Sequence, residues 1–117
     1  LDHLYGLSEM IVNAPSQLPN LRPRETVEMT FEEKRAKTLQ NFKTASNILK
    51  ESKRKDLEKY AIVFQRGEEQ STVPFWNLLN GPIADAIYHT GQIVAFRRAA
   101  GNPMDAGVNV FMGKTRK

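Results

Sequence analysis

The chain has 117 residues, of which 40% are hydrophobic and 26% are charged, with a formal net charge of +4. This balance predicts one domain with a buried core, spanning 1–117, and excludes a disordered polymer. The chain contains no cysteine, which excludes disulfides, thiolate zinc sites and a cysteine nucleophile. No apolar run reaches the roughly 18 residues that a membrane-spanning helix requires.

The first residue, Leu1, already belongs to an apolar helical pattern. We therefore expect the domain to be incomplete at this end, with an upstream first helix missing. A removed signal peptide would leave no trace in such a chain. We expect a cytoplasmic protein.

Residues 1–14 are predicted to form a helix, because apolar residues such as Leu4 and Ile11 recur at helical spacing and Pro15 ends the pattern. Residues 15–28 hold three prolines at every fourth position, which no helix interior tolerates. This segment is predicted to be an extended linker that lets the chain reverse.

A long helix is predicted to follow as far as about Ser52. Thr30 and Glu33 form the S/T-x-x-E capping box at its start. The stripe of this helix that is expected to be buried consists of Phe31, the stem of Arg35, Thr38, Leu39, Phe42, Ala45 and Leu49.

Residues 53–73 are predicted to contain a short helical turn from Asp56 and an extended segment at 61–64, followed by a polar loop at 67–71. Either Ser71 or Thr72 is expected to cap the next helix, because both side chains suit that position.

The last helix is predicted to span 74–100 and to kink or break near Asn80, because Pro82 removes a backbone donor. Gly101 and a following proline end it. The alternating apolar residues of 108–111 are expected to lie as an extended strip on the helices.

Asp85 and His89 are four residues apart in this apolar helix, so their side chains share one face. The chain's other histidine, His3, lies at the edge of the predicted buried face of the first helix. The three side chains together would supply three ligands to a divalent metal and leave positions open for water, as in reactive sites. The same spacing also suits a local hydrogen bond or ion pair without any metal.

Three further polar residues lie past His89 on the same helix. Gln92 is a candidate to hydrogen-bond a metal ligand. Arg97 or Arg98 is a candidate to bind an anionic substrate, or each is a surface cation that complements the helix dipole. Basic residues also cluster at a helix end and in the tail, at Lys50, Lys53, Arg54, Lys55, Lys114, Arg116 and Lys117. No aromatic residues alternate with those clusters, so we do not expect nucleic-acid binding.

The segment from Asp85 through His89, Gly91 and Gln92 to the stop at Gly101 resembles the last helix of the DinB/YfiT-like superfamily. That family's helix reads H-x-x-x-H-x-G-Q-hydrophobic, followed by arginine and a Gly-x-Pro stop. The amphipathic N-terminal helix, with its histidine followed by leucine, looks like the helix that bears the family's first ligand.

The resemblance implies an all-α, antiparallel up-down four-helix bundle, often dimeric, with a divalent metal at one end. It implies that His3 and His89 are ligands, whereas Asp85 stands where the family usually has a further histidine. It also implies an enzyme, either a hydrolase or a thiol-dependent transferase, in which metal-bound water or thiolate is the nucleophile.

We therefore expect a helical bundle that binds one divalent transition metal through His3, Asp85 and His89, either zinc or nickel, with iron or manganese as alternatives. A small-molecule substrate and a homodimer are the expected partners, and no membrane is expected. The alternative is a non-catalytic dimerisation or binding bundle in which a buried Asp85–His89 pair fixes helix register.

Overall fold

The computed structural model describes residues 1–116, and the tail cation Lys117 lies outside them. The fold is mixed α/β, with 56% helix and 16% strand, so the prediction of an all-α four-helix bundle is wrong. The chain divides into two compact units, Leu1–Ala86 and the part from Ile87 onward. Among the described residues, no helix is both long and apolar enough to cross a membrane.

Two helices of the first unit form as the sequence predicts. α1 spans Asp2–Asn13 and α2 spans Phe31–Glu51, and the two pack against each other. The capping box at the start of α2 is confirmed, with the Thr30 side chain accepting from the Glu33 amide and the Glu33 carboxylate accepting from the Thr30 amide. Because the Thr30 backbone and hydroxyl both donate to that carboxylate, the pKa of Glu33 is lowered.

A three-stranded sheet replaces the expected linker and loop. Its strands are β1 (Pro19–Leu21), β2 (Ala61–Arg66) and β3 (Glu69–Pro74), in the order β1-β2-β3. β1 runs parallel to β2, which requires a long crossover that α2 provides, and β3 is antiparallel to β2. The one-turn helix α3 (Arg54–Leu57) precedes β2, so the expected helical turn and extended segment are confirmed.

The β2–β3 hairpin shows why the polar loop and the helix cap were wrong predictions. Arg66 pairs with Glu69, which leaves a two-residue turn, and Gly67 at its first position has a φ of 58°. A glycine with positive φ at that position is typical of type II′ hairpin turns. The Ser71–Thr72–Val73 run that follows favours a strand, so Ser71 and Thr72 pair with β2 instead of capping a helix.

The predicted interruption of the last helix is confirmed, and its form is a π-helical turn. α4 spans Phe75–Leu78, the π turn spans Leu79–Ile83, and α5 spans Ala84–Ala99. Pro82 lies inside the π turn. A wider turn accommodates a residue that has no amide donor and whose ring would clash with an α-helical carbonyl.

The core of the first unit lies between α1, the sheet and the start of the interrupted helix. Leu78 and Ile62 are almost completely buried. The predicted buried stripe of α2 is confirmed at Thr38 and Ala45 and is wrong at its N-terminal end, where Phe31 is 63% exposed, and at Leu39, which is 52% exposed. In a bundle two neighbouring helices would have covered the whole stripe, whereas the helix that packs against α2 here is α1. The buried cluster comprises Leu4, Leu7, Ile11, Ala14, Ala45, Ile62, Leu78 and Ala86.

The second unit contains most of α5 and a small antiparallel hairpin, β4 (Val108–Asn109) with β5 (Lys114–Thr115). α5 ends at Ala99, and the predicted stop follows at Gly101, whose φ is 70° and whose amide donates to the Arg98 carbonyl. The apolar strip expected at 108–111 is extended only at Val108–Asn109, because the chain then turns back into the hairpin, and Phe111 is 93% exposed.

We predict that Leu78→Ala lowers the free energy of unfolding by about 2–5 kcal/mol, because it removes a fully buried side chain and leaves a cavity. Leu39→Ala is the matched control, since half of that side chain is already in water, and we expect a much smaller loss. Urea denaturation followed by circular dichroism measures both. Equal losses of unfolding free energy in the two variants would contradict the burial of Leu78 in the core.

Candidate metal centre

His3 and Asp85 meet although 82 positions separate them in the sequence. His3 lies in the first turn of α1, and Asp85 is the second residue of α5. The His3 Nε2 atom is 2.9 Å from the Asp85 Oδ2 atom. Because an ionised carboxylate only accepts, the imidazole carries a proton on Nε2 in this pairing. The His3 side chain is 62% exposed and that of Asp85 is 41% exposed, so the pair is open to solvent.

Packing within the first unit brings these two residues together. Leu4 and Leu7 on α1 are buried in the core, which fixes the helix and places the neighbouring His3 at its edge. α1 also contacts the π turn, whose last residue Ile83 packs against the core two residues before Asp85. The end of α1 that carries His3 and the start of α5 are therefore fixed by packing against the same core.

His89 is oriented by a residue on its own helix. Its Nδ1 atom lies 2.6 Å from the Gln92 Oε1 atom, and the Tyr88 ring meets its ring edge-on at a centroid distance of 5.3 Å. Since an amide oxygen only accepts, Nδ1 must carry the proton, and in the neutral imidazole the lone pair is on Nε2. Gln92 thus selects one tautomer of His89, and it does so as an acceptor.

The three predicted ligands are close enough to share one ion. His3, Asp85 and His89 each offer one ligand atom, and these atoms all lie within 4.8 Å of one another. Asp85 and His89 are successive on one face of α5, which is unbroken between them. Two imidazoles and a carboxylate suit zinc and other divalent transition metals.

The distances also suit coordination chemistry. Ligands bonded at about 2.1 Å to a tetrahedral or octahedral ion lie roughly 3.0–3.5 Å from one another. The His3–Asp85 separation of 2.9 Å is already near that range. The other separations within the set do not exceed 4.8 Å, which is wider than those coordination distances. Binding of the metal through the His3 Nε2 atom would require the proton of the neutral ring to lie on Nδ1 instead.

Arg97 contacts the residues that follow the end of its own helix. Its guanidinium donates to the Asn102 backbone and side-chain oxygens at 3.0 and 3.2 Å, and to the Pro103 carbonyl at 3.3 Å. The Asn102 amide donates back to the Arg97 carbonyl, which closes the helix stop. Its predicted substrate-binding role therefore has no support from these contacts. The sequence signal for the observed contacts of Arg97 was the helix stop, which begins only four residues downstream at Gly101.

Comparison with known proteins adds no match: no family model matches the chain, and neither a curated protein nor a solved structure matches it.

We predict that Gln92→Ala shifts the neutral His89 imidazole from the Nδ1–H tautomer toward the Nε2–H tautomer, because the acceptor that selects the first is lost. Long-range ¹H–¹⁵N correlation spectra of the histidine rings above pH 8 measure this. His3 is the internal control, since its ring contacts Asp85, and its signals should not change. An unchanged His89 tautomer would contradict the orienting role of Gln92.

Proposed function

We propose that this protein is a divalent-metal-dependent enzyme whose metal is bound by His3, Asp85 and His89. The single observation that carries the proposal is the mutual approach of three ligand atoms, two from one face of α5 and one from His3, which is remote in the sequence. The exposure of His3 and Asp85 supports an enzyme rather than a structural site, because substrate can reach the ion from solvent.

The donor set supports a reactive centre. One carboxylate and two neutral imidazoles would leave a divalent ion with one net positive charge and with positions open for water or a substrate atom. Zinc or nickel suits this set, and iron or manganese also accepts two histidines and a carboxylate. When bound, the metal would supply Lewis acidity and lower the pKa of a coordinated nucleophile. The protein's own groups fix the ion, and Gln92 fixes His89.

Two reaction classes suit such a centre, namely hydrolysis with water as the nucleophile and transfer of a low-molecular-weight thiol. The resemblance of the α5 segment to DinB/YfiT-like proteins favours both and adds a small-molecule substrate and a homodimer. The four-helix bundle of that family is not part of this proposal. The alternative of a non-catalytic protein with a buried Asp85–His89 pair is not favoured, because the Asp85 side chain is 41% exposed.

We predict that the wild-type chain binds one equivalent of Zn²⁺ or Ni²⁺ and that His89→Ala and Asp85→Asn each reduce the affinity at least about tenfold. Removing one of three ligands costs more than the loss of an orienting neighbour, which is typically about 10–100-fold in affinity. Isothermal titration calorimetry and elemental analysis measure affinity and stoichiometry.

Glu28→Gln is the matched control for Asp85→Asn, because it removes a carboxylate from an exposed loop position. It should bind metal as the wild type does. Unchanged stoichiometry in His89→Ala would reject the site. If metal binds as expected, ester hydrolysis and thiol transfer assays on the metal-loaded and chelator-treated protein separate the two reaction classes. Equal rates with and without metal in both assays would reject the enzymatic proposal.

A further inference from the structure

The second unit contains an apolar groove that the proposed metal centre does not use. Its volume is about 600 Å³, within the range of about 300–1,000 Å³ typical of small-molecule sites. One wall is α5 and the other is the segment 104–110. Its apolar lining includes Ile87, Val94, Met104, Val108 and Val110.

The groove and the metal-binding side chains occupy opposite faces of α5. The groove residues Ile87, Gly91, Val94 and Arg98 follow helical spacing along one stripe. At about 100° per residue, His89 lies roughly half a turn away from that stripe. A ligand in the groove would therefore not contact the metal side of the helix.

Arg98 gives the groove its charge preference. Within residues 1–116 its guanidinium makes no hydrogen bond or ion pair, so its donors are available to a ligand. Asp105 also lines the groove, but its Oδ1 atom already accepts from the Gly107 amide at 2.6 Å. Asp105 keeps its negative charge, so the attraction for an anion comes from the Arg98 guanidinium, whose donors can bind a carboxylate in a bidentate way.

Gly91 sets the depth of the groove. A Cβ atom added at this position would meet nothing within 4 Å, so the space above the α5 backbone is open. The absence of a side chain at this point leaves room for apolar ligand atoms between the valine and isoleucine side chains on either side of it.

We propose that this groove binds a small amphipathic anion, an apolar chain carrying one carboxylate, with Arg98 as the partner of the charged group. The apolar walls receive the chain and the guanidinium receives the carboxylate at the end of the groove that holds Arg98. Both interactions are available on the second unit alone, so the site is independent of the metal.

The test uses the full chain and sodium decanoate, below its micellar concentration, in isothermal titration calorimetry. We expect saturable one-to-one binding in the wild type. Arg98→Gln should weaken it about ten- to a hundredfold, which is the usual worth of a hydrogen bond to a charged group. Decanol, which has the same chain without the charge, should bind the wild type correspondingly more weakly. Gly91→Leu should abolish binding by filling the groove.

Two variants serve as controls for charge and for bulk. Arg54→Gln removes an exposed arginine from α3, and Ala99→Leu adds a side chain to α5 outside the groove; both should bind decanoate as the wild type does. Circular dichroism checks that Gly91→Leu remains folded, and leucine favours a helix more than glycine does. Absence of saturable decanoate binding, or equal affinity of Arg98→Gln and the wild type, would overturn the proposal. A sedimentation coefficient that differs between Gly91→Leu and the wild type, both measured without decanoate, would also overturn the proposal. A second copy of the chain would then occupy the groove in the wild type.

Discussion

The packing of α1 against the π-helical turn is the contact on which the candidate centre depends. A π turn holds one more residue than an α turn, so it rotates every later side chain by about 100° relative to an uninterrupted helix. Pro82 lies in this turn and Ile83 at its end packs into the core. The direction in which Asp85 projects, and hence its distance from His3, follows from this one irregularity. The buried leucines of α1 hold the other partner in place.

The sequence allowed the helices to be predicted because their signals are local. The capping box at Thr30 and the stop at Gly101 each depend on a few neighbouring residues, and both are present in the structure. The strands β1 and β3 were missed because their pairing is not local. Pro19 suggested a linker, yet proline is tolerated at the first residue of an edge strand. The exposure of α2 was unpredictable for the same reason, since burial depends on which elements surround a helix.

The candidate site was more predictable than the fold. Asp85 and His89 share a helical face whatever surrounds the helix, so their spacing survived the wrong choice of architecture. The position of His3 did not follow from spacing, because it required α1 to pack beside the π turn. Arg97 differs from these residues. Its charge suggested that it binds an anionic substrate, whereas its guanidinium donates to Asn102 at the helix stop. The type of a residue shows which interactions its side chain can make, but the residues that surround it determine which of them it makes.

The energetics of the His3–Asp85 contact bear on why three such groups converge. An ion pair this exposed typically contributes about 0–1 kcal/mol, because water screens the charges and two side chains lose freedom. Stability therefore gives little reason to place His3 and Asp85 together at the surface, or to have Gln92 orient a further imidazole beside them. A divalent ion changes that balance. It would bind all three groups at once, and its binding free energy would add to the free energy of folding, because the unfolded chain does not hold the ligands together.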